Sequence, residues 1–190
     1  MTRRDTEILE FINRFGRVNI DQISKYFGLS QVRAYQVMSR LKKIGMVDHT
    51  RVFHNECGVF TCTTDGAKFT ENEKLRELHI ATLKHDLSVV DVFLGMCGND
   101  RVESFMTERE IRKNCDWDHY PDMILRHGKE RISLEIELSR KSKNRMENIR
   151  NFYLKNMEID KVVYFVPREL MDYLNSCFDG IDFIETRELI

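Results

Sequence analysis

The sequence predicts an α+β protein built in two parts, and three observations carry that expectation. The first seventy residues hold three helix-period apolar patterns followed by two β-runs; residues 71 to 190 alternate strand patterns with helix patterns. Net charge changes sign between them: residues 1 to 70 carry 11 Lys plus Arg against 7 Asp plus Glu, and the remainder carries 19 against 24. A basic first part suits a polyanionic partner. The boundary is expected near Thr70, giving domains 1–70 and 71–190.

The stretch "RRDTEILEFINRFG" places Ile8, Leu9, Phe11, Ile12 and Phe15 near helical period, with Gly16 as the stop. A short helix follows through Ile20, Ile23 and Phe27, then Gly28 at a tight turn. Ser30 is placed to cap a longer helix from Gln31 to about Ile44. Two helices joined by a glycine turn form a helix-turn-helix pattern.

On the longer helix Ala34, Val37, Leu41 and Ile44 form the apolar stripe, and Arg33, Gln36, Arg40 and Lys43 repeat the spacing one residue earlier, with Tyr35 and Ser39 nearby. Arginine forks onto guanine, glutamine pairs with adenine and lysine neutralises phosphate, so this face has the composition of a major-groove reader. After Gly45, "MVDHTRVFHNECGVFTCT" reads as a hairpin turning at Asn55 to Gly58, which completes a winged helix. The DNA-binding set expected is Ser30, Gln31, Arg33, Tyr35, Gln36, Ser39, Arg40, Lys43, Arg51, His54 and Asn55. The hairpin also holds His49, Cys57 and Cys62. With that turn Cys62 lies opposite Arg51 and Cys57 at the tip, so no tetrahedral zinc centre is expected.

In the second part a helix is expected from Glu71 to Met96, with an apolar face including Leu75, Leu78, Leu83, Leu87, Val90 and Leu94. Strands are expected at "RVESFM", at the run after Pro121, at "RISLEIEL", "KVVYFVP" and "IDFIET". Helices are expected from about Ser142 to Glu158 and at "RELMDYLNSCF". The result is a mixed sheet with helices on its faces.

The stretch "YPDMILRHGKERISLEIELSRKS" fixes its own register. A loop centred on Gly128-Lys129 sets Arg126 opposite Arg131, Ile124 opposite Ser133 and Asp122 opposite Glu135. Asp122, Glu135 and Glu137 then share one face, with opposed Cβ atoms roughly 5 Å apart. Such crowding is unfavourable unless a cation, protonation or nearby Lys and Arg relieves it.

An Asp and a Glu on adjacent strands followed by a basic helix resemble the PD-(D/E)XK nuclease superfamily. That resemblance implies Mg²⁺ held by Asp122 and Glu135 and a lysine two residues beyond the second acid. Here that position is Glu137, so a degenerate, non-cutting site without a cofactor is expected. The alternative is a Mg²⁺-dependent nuclease using Asp122, Glu135, Glu137 and Lys141. The basic run supplies Arg140, Lys141, Lys143 and Arg145 as a second DNA surface.

Taken together, the winged helix, "HIATLKHDLSVVDV", Trp117, Pro121-Asp122, "LEIELSRKS" and "NIRNFYLK" resemble the replication-relaxation family of plasmid and mobile-element proteins. The resemblance implies double-stranded DNA binding in replication control, plasmid mobilisation or transcription regulation. A homodimer is expected, because winged helices commonly read paired half-sites. A third reading is an adaptor that recruits a relaxase or replication initiator. No Walker loop or dinucleotide glycine motif is present. Five scattered cysteines fit free thiols in a reducing compartment, and no run approaches the ~18 apolar residues of a membrane span. A cytoplasmic protein is expected.

Overall fold

A computed structural model describes residues 1–52, 57–75, 79–99 and 103–189, so His54, Asn55 and Leu78 lie outside the described residues. The chain is α+β and divides into two compact units, Met1–Leu94 and Gly95–Ile190. Among the described residues no helix is long and apolar enough to cross a membrane. All five cysteines are free.

The first unit begins with α1 (Arg3–Phe15), opened by a capping box. The Thr2 hydroxyl accepts from the Asp5 amide at 3.3 Å, and the Asp5 carboxylate accepts from the Thr2 amide at 2.7 Å. Strand β1 (Val18–Asn19) leads into α2 (Ile20–Phe27), capped in the same way by Asn19 and Gln22. Gly28 takes a left-handed φ of 60°, which an L side chain adopts only at a cost, and so closes the turn into α3 (Gln31–Lys43). Ile8, Leu9, Ile12, Ile20, Ile23, Ala34, Met38 and Leu41 are buried, so the three helices share one core.

Behind them β2 (Val47–Thr50) and β3 (Val59–Cys62) pair antiparallel, and β3 is central in the sheet order β1-β3-β2. Cys62 lies opposite Val47, not opposite Arg51 as the assumed turn required. The register is set by the third strand: Val18 pairs with Phe60 on the other side of β3, and burial of Val47, Val59, Phe60 and Cys62 holds it there. A short helix, α4 (Thr64–Ala67), follows under a Thr63 cap.

The long helix expected from Glu71 starts later, as α5 (Ile80–Asn99). Asn13 on α1 donates to the Thr70 hydroxyl at 2.7 Å and to the Asn72 carbonyl at 2.6 Å, and the Glu71 amide donates to Glu10 at 3.0 Å. Those bonds hold residues 70–72 as a loop against α1. Residues 80–94 also belong to the first unit, which therefore ends at Leu94 and not near Thr70. Buried Arg17 pairs with Asp86 and donates to the Thr82 hydroxyl at 3.1 Å; Gln22 donates to the Leu87 carbonyl and to Asp91, both at 2.9 Å. Local periodicity carries no trace of such long-range polar bonds.

The second unit contains β4 (Ser104–Thr107), α6 (Glu108–Asn114), β5 (Met123–His127), β6 (Glu130–Ile136), α7 (Lys143–Lys155), β7 (Lys161–Val166), α8 (Arg168–Cys177) and β8 (Ile184–Glu188). The strands form one sheet in that order; β4, β5 and β6 are antiparallel neighbours, and β6, β7 and β8 are parallel. Helices α7 and α8 are the two crossovers. Their Met146, Ile149, Tyr153, Leu174 and Phe178 pack with Val162, Tyr164 and Val166 of β7, so both cover the same face. Helix α6 was not expected. Its signal is the capping box Thr107 to Glu110, with the Thr107 amide donating to Glu110 at 2.8 Å.

Another ion pair in the first unit joins α3 to α1. Arg40 donates from both terminal nitrogens to Asp5, at 2.8 and 2.6 Å, and the Asp5 side chain is only 2% exposed. The Arg40 hydrogen bonds hold the Asp5 carboxyl down to about 2, from an ordinary value of 3.8. A carboxylate lowered in this way stabilises the fold fully above its unfolded value and ceases to do so as pH falls through its folded value. Asp5→Asn and Arg40→Ala are each expected to lower unfolding free energy at neutral pH by about 2 kcal/mol. The deficit should shrink as pH falls from about 4 toward about 2. Urea unfolding of each variant across that range checks this, and a deficit independent of pH would refute the assignment.

Candidate functional site

Helix α3 turns Ala34, Val37, Met38 and Leu41 into the core, so its 3.6-residue period sends Val32, Tyr35, Gln36, Ser39 and Lys43 to the opposite side. All five are exposed, and among the described residues Tyr35, Ser39 and Lys43 make no side-chain hydrogen bond or ion pair. Arg33 and Arg40 flank this line. Arg33 donates to Gln36 Oε1 at 3.2 Å.

Three residues expected to contact DNA have structural work. Arg40 holds buried Asp5 through a bidentate pair, so it positions α3 against α1 and is not a free base reader. The Ser30 hydroxyl accepts from the Arg33 amide at 3.3 Å as the helix cap. Gln31 donates to Asp21 at 2.6 Å, and Cys57 reaches the other oxygen of Asp21 at 3.7 Å, so one carboxylate ties α2, the start of α3 and the segment leading into β3. Lys42 and Val32 are exposed on α3 and were missed by reading the face as a single repeat of cations and amides.

Arg51, just beyond β2, is exposed. His49 stacks on Phe60 with ring centroids 4.5 Å apart, and the glycine at position 58 leaves room for its ring. Desolvation there lowers the His49 pKa, and the cations Lys42 and Arg51 lower it further, so the ring is neutral at physiological pH. Cys62 is buried, and its thiol reaches the Leu9 carbonyl at 3.4 Å.

In the second unit β5 and β6 pair with Arg126 opposite Arg131 and Ile124 opposite Ser133. Alternation then puts Ser133, Glu135 and Glu137 on the face covered by α7, while Leu134 and Ile136 face the other way. Glu135 is 4% exposed, and its Oε1 accepts from the Tyr153 hydroxyl of α7. His119 Nε2 lies 2.5 Å from the same oxygen, and Ser133 Oγ lies 2.8 Å from the Tyr153 hydroxyl. Burial first, and the Glu135 charge second, raise the Tyr153 pKa well above its ordinary value, so the phenol keeps its proton and donates it to the carboxylate.

Glu137 pairs with Lys141. Asp122 accepts from the Ile136 amide at 2.7 Å. Burial lowers the Lys141 pKa, while Glu135 and Asp122 work against that shift, which places its ammonium in the field of all three acids. Among the described residues no group of three or more His, Cys, Asp or Glu side chains is placed to hold a metal ion. The four cations of the basic run are not equivalent. Lys141 belongs to the acidic cluster and the Arg140 guanidinium lies 4.1 Å above the Tyr173 ring, leaving Lys143 and Arg145 exposed in the first turn of α7.

A structural role for the cluster has a measurable signature. Tyr153→Phe removes the hydroxyl that links Ser133 to Glu135 and is expected to cost about 1–3 kcal/mol. Glu135→Gln keeps an acceptor for Tyr153 and should cost less than Glu135→Ala, which leaves Tyr153 and His119 without it. Chemical unfolding of the three variants gives the order; equal losses for Gln and Ala would show that charge, not hydrogen bonding, is what the fold requires.

No protein-family model matches the chain, and no curated protein matches it. Among solved structures the chain is similar to "PigF with SAH", at 11% identity with a TM-score of 0.24. The match covers 99% of this chain and 62% of that one, so the chain spans less than two thirds of that structure's length. A similarity of that size carries no argument about fold or function.

Proposed function

We propose that the protein is a sequence-specific double-stranded DNA-binding protein, with the first unit acting as a winged helix whose α3 enters the major groove. The observation that carries this reading is the outward line of α3. A solvated helix face needs only polar groups, and this one adds exposed Val32 and Tyr35 to Gln36, Ser39 and Lys43. A groove reader needs that mixture of apolar, amide, hydroxyl and cationic groups. Arg33, Lys42 and Arg51 flank it with positive charge suited to phosphates.

The resemblance to the replication-relaxation family supplies the role proposed: control of replication, mobilisation or transcription on a plasmid or mobile element, with a homodimer reading paired half-sites. A relaxase or replication initiator recruited through the second unit belongs to the same proposal.

The second unit is read as nuclease-like in layout and non-cutting in chemistry. Strand order, and the hydrogen bond that holds Asp122, just before β5, to the Ile136 amide of β6 next to Glu135, support the resemblance to the PD-(D/E)XK layout. The hydrogen bonds of the acids support the non-cutting reading: Glu135 accepts from Tyr153 and lies against His119, Glu137 pairs with Lys141, and Asp122 accepts from the Ile136 amide. The nuclease reading retains one favourable observation, the ammonium of Lys141 beside the acids.

Two measurements test these statements. Lys43→Ala is expected to weaken binding to all DNA sequences alike and to reduce the slope of log K against log salt by about 0.9. An unchanged slope would remove Lys43 from the interface. Incubation of supercoiled and linear DNA with Mg²⁺ or Mn²⁺ is expected to leave the DNA intact. Cleavage that disappears in both Asp122→Ala and Glu135→Ala would establish the nuclease instead.

A further inference from the structure

Val32 is 68% exposed and Tyr35 is 50% exposed, on the helix that carries the basic face. Val32 is the second residue of α3, where a β-branched side chain lowers helix propensity, and at that exposure it contributes little to the core. One turn further along the same side stands Gln36, whose Oε1 already accepts a hydrogen bond from Arg33 at 3.2 Å. That bond fixes which end of the amide carries the oxygen, while Oε1 keeps a second lone pair and Nε2 keeps two hydrogens.

The distances along the helix separate base contacts from backbone contacts. Val32 and Gln36 are four residues apart, about 6 Å of rise, which is roughly two base-pair steps of 3.4 Å. Lys43 lies about 16 Å from Val32 along the axis, at the C-terminal end of α3, whereas a recognition helix meets base edges through its N-terminal residues. Its ammonium therefore meets phosphate, whereas the N-terminal half of α3 meets base edges.

Resting on the DNA-binding reading above, we infer that the protein reads A·T pairs: Val32 packs on the C5-methyl group of a thymine, and Gln36 pairs bidentately with an adenine. Gln36 Oε1 accepts from the adenine N6 amino group and Nε2 donates to N7. Arg33 is the positioning residue for that amide, and Tyr35 supplies the neighbouring apolar edge. A·T and not G·C follows from the chemistry of the line: the outward residues of the base-facing half hold a methyl-bearing side chain and an amide, and the cations lie on the flanks or at the C-terminal end.

The test starts from DNA selected out of a random duplex pool by the full chain. In the recovered site, replacing each thymine by deoxyuridine removes only the methyl group, and replacing each adenine by 7-deazaadenine removes only the N7 acceptor. One deoxyuridine position is expected to weaken wild-type binding about fourfold, the worth of one buried methyl group. The same replacement should leave Val32→Ala unaffected. One 7-deazaadenine position is expected to weaken wild type by about fivefold or more, with no further loss in Gln36→Ala. Arg33→Ala should reduce that second effect without abolishing binding. Both side chains are exposed, and thermal unfolding of the variants confirms that they remain folded. Recovery of a site insensitive to every such replacement would overturn the A·T inference and leave the DNA-binding reading intact. Recovery of no preferred sequence would overturn both.

Discussion

A buried carboxylate must be met by a cation or by hydrogen-bond donors, and that requirement organises both units of this protein. In the first unit buried Asp5 is met by Arg40 and Thr2, and in the converse case the buried cation Arg17 is met by the partly exposed Asp86. In the second, Glu135 is met by Tyr153 and His119, and Glu137 by Lys141. The Asp5–Arg40, Arg17–Asp86 and Glu135–Tyr153 pairings join groups distant in sequence within one unit, so they restrict how those parts pack. Each also withdraws a charged side chain from contact with a ligand.

The withdrawal decides what α3 can do. Counted by residue type, the helix offers several cations to a nucleic acid. Counted by partner, Arg40 holds α1 and Arg33 holds Gln36. What remains outermost is less cationic than composition suggests, because the strongest donors near the core are drawn to the nearest buried acceptor. The Arg40 guanidinium is still about half exposed, so the ion pair determines its orientation more than its accessibility.

The acidic cluster shows the same logic with the opposite starting point. Three acids at neighbouring ends of β5 and β6 invite a cation, and a lysine four residues after Glu137 meets that demand from within the chain. Tyr153 meets the Glu135 demand from α7, because the crossover helix lies over this face. The hydroxyl of Tyr164, also on that face, is buried without a hydrogen-bond partner among the described residues, and burial first, then the Glu135 and Asp122 charges, raise its pKa well above the ordinary value. These contacts make the patch a hydrogen-bonded part of the core, and they support reading its resemblance to a nuclease as one of layout.

The sequence by itself determined what depends on near neighbours. Periodicity and caps specified α1, α2, α3 and α7, and the two-residue alternation around Gly128 specified the β5 to β6 register down to Arg126 opposite Arg131. Tertiary structure decided the register of β2 on β3, which a distant strand controls through Val18 and Phe60. It decided the late start of α5, where side chains of α1 hold the preceding loop. It also decided the working residues: Arg40 and Gln36 look alike as exposed polar positions on one helix, and only the position of Asp5, thirty-five residues away in sequence, makes one structural and leaves the other facing outward. Helical and strand periods are written into adjacent residues, whereas the partner of a charge is set by which distant segment folds against it.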